Sequence, residues 1–244
     1  MIMEAAELVD RFKAEAARAG AVVHEATAAE EANDCLLNLV RERGVRLVVK
    51  SSSPLADRIG LRHHLQGAGI DVMETEIGEW LAQLAETHGT GAAPPSSIEE
   101  AAGLLSEAVG EELEPEPATL LRAARRVLRK AYVDADMGIT EASLAIAKTG
   151  TLVMAGDEGN DRLVAVLPRI HVTLLDCRNL ESTMEDATAR LRLLAETTRQ
   201  GKMPSYVTYL TGRNTTGDIP GALMARAQGP DEEHVVLVYA DAAA

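Results

Sequence analysis

Residues Val45–Glu74, "VRLVVKSSSPLADRIGLRHHLQGAGIDVME", decide the fold. "VRLVVK" is short, β-branched and apolar, which marks a buried strand. "SSSP" supplies capping serines and Pro54, a helix start, and the helical stretch behind it runs to Gly67-Ala68-Gly69. "IDVME" is the next strand. Strand, helix, strand with these lengths is a βαβ unit, which implies parallel pairing.

Working outward, "AAELVDRFKAEAARA" repeats apolar residues at three- and four-residue steps, a helix over about 3–19. "AVVHEA" reads as a strand and "AAEEANDCLLNLVRERG" as a helix stopped at Gly44. "SIEEAAGLLSEAVG" carries Ser97 and Glu100 in capping-box spacing. "ATLLRAARRVLRKAYVDA" is a helix with a basic face, so a helical subregion spans about 95–132. "ITEASLAIAKTG" has helical spacing and stops at Gly150. "TLVMAG" and "RLVAVL" flank the turn residues "DEGND" and predict a hairpin. "IHVTLLD", "SYVTYLTG" and "HVVLVYA" are strands, "ESTMEDATARLRLLAETTRQG" is a helix, and a helix is expected from Ile219. The expectation is one α/β domain over 1–244, an open, mostly parallel sheet flanked by helices.

Composition limits the function. The 244 residues hold 24 Lys+Arg against 38 Asp+Glu, a net charge of −14 that repels polyphosphate, so no nucleic-acid partner is expected. Aromatics are 2%, which leaves an aliphatic core. Cys35 and Cys177 stand alone, too few to hold an iron–sulfur cluster or a structural zinc. Two free thiols, no signal peptide and no membrane-length apolar run point to the cytoplasm.

Ligands of open α/β sheets sit at the carboxyl ends of strands. Three segments fall there. Lys50 with Ser51 and Ser52 precedes a helix start, where backbone N–H groups favour an anion. Thr149, Gly150 and Thr151 pair two hydroxyls with a glycine that lets a ligand approach the backbone. "YLTGRNTTGDIPGAL" offers Thr211, Gly212, Thr216, an Arg213 suited to clamp a carboxylate or phosphate, and an Asp218 to orient it or cap a helix. Glu76 in "ETEIGEW" and Glu141 beside Thr140 supply acids, bases or nucleophiles. Read conservatively, these are caps, a snorkelling lysine and solvated acids. No P-loop, G-x-G-x-x-G, H-E-x-x-H or G-x-S-x-G is present.

Taken together, three blocks resemble the LUD domain of lactate utilization proteins, nearest to the C-type members: "GITEASLAIAKTGTLVM", "RLVAVLPRIHVTLLD" and "YLTGRNTTGDIPGALMARAQGPDEEHVVLV". "VVKSSSPLADRIGL" and "METEIGEWLAQL" are similar to a Lys-Ser strand end and an acidic motif of the related B subunit. The resemblance covers about residues 45–240. It departs from the family at Lys148, at Arg213-Asn214, across Gly217 to Pro220 and at Gln228. The resemblance implies a fold like glucosamine-phosphate deaminase, ribose-phosphate isomerase and the CoA transferases. It implies a non-redox subunit in the oxidation of L-lactate to pyruvate, with no cofactor in this chain and iron–sulfur clusters on partner subunits. One strand-end pocket shared by all three segments is expected, holding a small carboxylate or phosphate. An independent enzyme acting on a phosphate- or CoA-type ligand, a non-catalytic scaffold and a homo-oligomer stay open.

Overall fold

The computed structural model describes residues 2–87, 89, 93–198, 201–212, 215–219, 222–225 and 229–239, with backbone alone at 2–4, 198, 215–219 and 222–225. Helix α1 (Ile2–Arg18) leads to β1 (Val22–Ala26), α2 (Ala29–Arg43), β2 (Leu47–Lys50), α3 (Pro54–Arg58), α4 (Leu61–Gly67), β3 (Asp71–Glu74) and α5 (Ile77–Thr87). Then come α6 (Ile98–Val109), α7 (Pro117–Asp134), β4 (Met137–Glu141), β5 (Leu144–Ile146), β6 (Thr151–Gly156), α8 (Asn160–Val166) and β7 (Ile170–Asp176). A 3-10 turn at Cys177–Asn179, β8 (Leu180–Glu181), α9 (Met184–Thr198), β9 (Tyr206–Leu210), β10 (Thr215–Ile219), β11 (Ala222–Ala225) and β12 (Glu232–Val238) complete it.

Six strands form one sheet in the order β1-β12-β7-β4-β2-β3, and every neighbouring pair is parallel. This is the expected α/β class. A four-stranded sheet, β8-β5-β6-β9, and the antiparallel pair β10-β11 are additional.

Alternate residues of the central strands feed two cores, as the two-residue strand period requires. Val48, Met137, Ile139, Val172 and Val236 face α2, α3 and α4 through Leu36, Leu55, Leu61 and Leu65. Val49 points the other way, to Trp80, Leu105, Leu120 and Leu128 of α5, α6 and α7. Leu175, Val235 and Leu237 on that side pack with Phe12 and Ala16 of α1. Helix α9 covers the smaller sheet through Ala187 and Leu191.

Three expected elements take another form. Ile139–Lys148 is not a helix: it is the end of β4, then β5, and β5 turns back into β6 with Ile146 opposite Thr151. Almost every residue from Met137 to Ala147 is buried, so helical spacing of apolar residues has no exposed face to report. The second correction concerns "RLVAVL", which lies in and just beyond α8 rather than in a hairpin strand. Helix α8 sits directly on β4, where a Cβ on Gly138 would lie 2.0 Å from the Val164 carbonyl oxygen. Last, the helix expected from Ile219 is replaced by the strands β10 and β11, pairing Thr215 with Ala225 and Thr216 with Met224. Tertiary pairing overrides the helix propensity of "ALMA" there.

Gly150, at the β5–β6 turn, has φ +65°, and a Cβ there would lie 2.3 Å from the Ala16 nitrogen of α1. Gly44 has φ +63° with open space around it. Replacing Gly44 by Ala therefore exposes the left-handed strain alone, about 1 kcal/mol. Gly150→Ala adds overpacking against backbone and loses about 2–4 kcal/mol. Urea unfolding of both variants checks this; equal losses would mean the hairpin is not pressed onto α1.

Candidate functional site

The crossover from β2 to β3 runs through α3 and α4 on one face of the sheet. The crossover from β3 to β4 runs through α5, α6 and α7 on the other, and β4 then pairs with β2 on its free side. The chain thus reverses direction of growth at β2, and a crevice opens at the carboxyl ends of β2, β3 and β4, where such folds bind ligands. A cavity of about 840 Å³ occupies that place. Ser51 and Ser52 line it from β2, Glu76 and Glu79 from the β3–α5 junction, and Glu141 and Ser143 from β4. The far wall is Gly156 to Glu158, Asp161 and Tyr206.

The lining is acidic. Six carboxylates reach it, and among the described lining residues there is no lysine or arginine. Burial, then the neighbouring Glu158 carboxylate, pushes Glu76 up to about 8. Asn160 Nδ2 ties the pair, donating to Glu76 at 3.1 Å and to Glu158 at 3.2 Å, and also to the Thr75 carbonyl at 3.0 Å. Ser52 Oγ donates to Glu79. Tyr206 Oη donates to Asp161 at 2.9 Å and accepts from the Gly159 amide. Burial and that Asp161 bond hold the phenol well above its usual range. Arg162 lies on the Tyr206 ring, its guanidinium carbon 5.9 Å from the centroid.

The anion cradle expected after β2 is used by the protein itself. Glu141 Oε2 accepts from Ser53 Oγ at 2.8 Å and from the Leu55 amide at 2.9 Å, filling the start of α3. Lys50 is 1% exposed and does not line the cavity. Its ammonium meets Glu74 at 3.0 Å and Asp57 at 3.5 Å. Burial pushes Glu74 up to about 7, with Lys50 pulling the other way.

The single shared pocket is therefore corrected. Ser51, Ser52, Glu76 and Glu141 come together in the cavity, while Lys50 sits behind it. Thr149, Thr151 and Thr211 form a hydroxyl chain of 2.7 and 2.8 Å at the opposite end of β6, with Gly150 and Gly212 against the end of α1. Five residues of strand separate Thr151 from the cavity wall at Gly156, about 17 Å. Thr140 is fully buried in the sheet, 2.8 Å from His171 Nε2, and His171 Nδ1 lies 2.9 Å from Glu233. Thr216 and Asp218 fall in β10, and Arg213 lies outside the described residues.

Sequence reasoning missed Ser143, Asp157, Glu158, Asp161 and Tyr206 as site residues. The signal was the acidic turn "DEGND". As a hairpin tip it points to solvent; as the joint between β6 and α8 it turns its acids into the crevice. Among the described residues no group of three His, Cys, Asp or Glu is placed to hold a metal ion. None of their helices is long and apolar enough to cross a membrane.

Comparison with known proteins gives one consistent result. The model of the LUD domain matches residues 9–238. Lactate utilization protein B of Geobacillus thermodenitrificans (strain NG80-2) is 33% identical over 226 residues, 91% of this chain and 46% of that protein. The protein of the same name from Bacillus subtilis (strain 168) is 29% identical over the same share of each. The chain thus spans about half the length of the curated relatives it matches, and these are B proteins where the sequence blocks pointed to the C type. A crystal structure of a DUF162 family protein from Deinococcus radiodurans shares the fold, with a TM-score of 0.52, 18% identity and coverage of 96% of this chain and 98% of that one. With the family model matched from α1 to the last residue of β12, the chain belongs to the LUD domain family.

Proposed function

We propose that this chain serves lactate utilization as a non-redox component, working beside iron–sulfur subunits that carry the electrons from L-lactate to their acceptor. The observation that carries this reading is the 33% identity to a lactate utilization protein B across 91% of the chain. The cavity lends chemical support by what it disfavours. A phosphate monoester brings nearly two negative charges, and CoA several, into a wall of carboxylates, with Lys50 already paired. A small 2-hydroxy acid brings one charge and one hydroxyl. Ser51, Ser52 and Ser143 offer hydroxyls to it, and Glu76, with its pKa near 8, holds a proton at neutral pH and can donate as well.

Deleting the gene is expected to abolish growth on L-lactate as sole carbon source while leaving growth on pyruvate, the product side, intact. The wild-type gene restores growth. A Ser52→Ala/Glu76→Ala gene restores it at most weakly, with the growth rate down by about tenfold if the hydroxyl and carboxyl hold the ligand through the reaction. Normal growth of the deletion strain on lactate, in a host without a second copy, ends the proposal.

The raised Glu76 pKa also fixes a pH dependence. Its folded value, about 8, lies above its unfolded value, so its contribution to stability is complete below the unfolded value and is lost as pH rises through 8. Glu76→Gln keeps the shape and removes the charge. The variant is expected to melt higher than the wild type at pH 9, by roughly 2–4 °C, the shift that 1 kcal/mol gives a chain of this size. At pH 5 the difference disappears. A melting scan at both pH values checks it, and an equal shift at both would remove ionisation as the cause.

A further inference from the structure

Helix α7 carries Arg122, Arg125, Arg126, Arg129 and Lys130, all exposed, and one acid, Asp134. The spacing of i, i+3, i+4, i+7 and i+8 puts all five cations on one face. The opposite face is buried through Leu120, Ala124 and Leu128. The helix holds a charge of +4 while the remaining residues hold −18, so the stripe is a concentrated positive surface on a strongly acidic molecule. Arg126 pairs with Glu111, and Arg122 donates to Thr119. Among the described residues none pairs with Arg125, Arg129 or Lys130.

The stripe ends in apolar residues. Leu121 is 39% exposed and Val133 68%, and with Arg125 and Arg129 they make one row at four-residue steps. That row is about 18 Å long. Arginines flanked by exposed aliphatic residues suit a protein interface, where arginine is enriched and anchors carry much of the energy. Nucleic acid is opposed by the −14 of the whole chain. A second copy docking through the same face sets cations against cations.

We propose that α7 is the docking face for an acidic protein partner, a subunit presenting a cluster of Asp and Glu between apolar contacts. This rests on the reading above that the chain works within an assembly. The partner is steered in by the stripe and held by Leu121 and Val133.

The test places a photo-cross-linking side chain at Leu121 or at Val133 of the full chain in its own host, growing on L-lactate. Asp34 of α2, exposed on the other side of the sheet, is the control site. The expected result is one protein joined at 121 and at 133 but not at 34, its joined peptide rich in Asp and Glu. The triple variant Arg125→Glu/Arg129→Glu/Lys130→Glu, which leaves the Arg126 pair in place, lowers the yield about tenfold with an unchanged melting temperature. Five outcomes overturn the proposal: no specific product, a joined peptide without acids, a second copy of this chain, nucleic acid, or a yield that ignores the charge reversal. If the reversal lowers the melting temperature, Lys130→Glu alone replaces it, and an unchanged yield then overturns the proposal too. The two readings fail separately. Growth on lactate that needs the chain, without an acidic cross-link, removes only the docking face. An acidic cross-link in a strain that grows on lactate without the gene removes only the lactate role.

Discussion

A parallel sheet has to be covered on both faces, because its crossovers lay helices there and its strands are apolar on both sides. In this chain that constraint sets nearly everything else. Val48 and Val49 are neighbours that each lie fully buried, in different cores. The helices that satisfy them come from different crossovers, so the chain must change sides after β3, and the change of sides is what opens the crevice at β2 and β4. The same constraint makes polar residues inside the sheet costly unless they are paired. Thr140, His171 and Glu233 lie on three adjacent strands, β4, β7 and β12, and bond in a line. Removing one member would leave a buried polar group without its hydrogen-bond partner, which costs about 1–3 kcal/mol.

The strand ends show how a protein uses its own groups to occupy sites that would otherwise attract ligands. The start of α3 has donors to satisfy, and Glu141 satisfies them from β4. The ammonium of Lys50, too deep to hydrate, meets Glu74 and Asp57. What remains facing the cavity is an excess of carboxylates, and they cannot all ionise cheaply beside one another. The rise of Glu76 comes first from burial, and the neighbouring Glu158 carboxylate adds to it. Charge matching inside the wall and charge crowding at its surface are two results of one arrangement.

Most of the sheet was legible in the sequence because its elements are amphipathic or bounded by strong punctuation. The βαβ unit of Val45–Glu74 has Ser-Ser-Ser-Pro at one joint and Gly-Ala-Gly at the other. The failures have particular causes. Ile139–Ala147 is buried at every position but Glu141 and Ser143, so its spacing is uninformative between helix and strand. "RLVAVL" is six residues long, and what makes its first five helical is the space over Gly138, a tertiary fact. The site followed the fold in this. Ser51, Ser52, Glu76 and Glu141 were legible because they end strands of the parallel sheet. Asp157 to Asp161 were not, because only the true path of β6 and α8 turns them inward. Thr149 and Thr151 looked like site residues because their hydroxyls flank a glycine in a segment read as a strand end, but Thr151 begins β6 and Thr149 precedes it, and ligands of such sheets gather where strands end.

Pairing at the sheet edge also explains why the family match runs almost the whole length of the described chain. Strand β1, just after α1, has β12 as its one neighbour in the sheet among the described residues, with Val22 opposite His234 and Ala26 opposite Val238. His24 and His234 stack across this joint, ring centroids 5.4 Å apart, with ring nitrogens 3.1 Å from each other. Burial, then the neighbouring His234, holds His24 below its usual range. Strand β12 in turn carries Glu233 into the buried network with His171. A chain cut before β12 would leave β1 unpaired, uncover Phe12 and Val9 of α1, and strip His171 of its carboxylate. The last strand is thus tied to the first, and the span matched by the family model, residues 9–238, is the span over which the sheet closes.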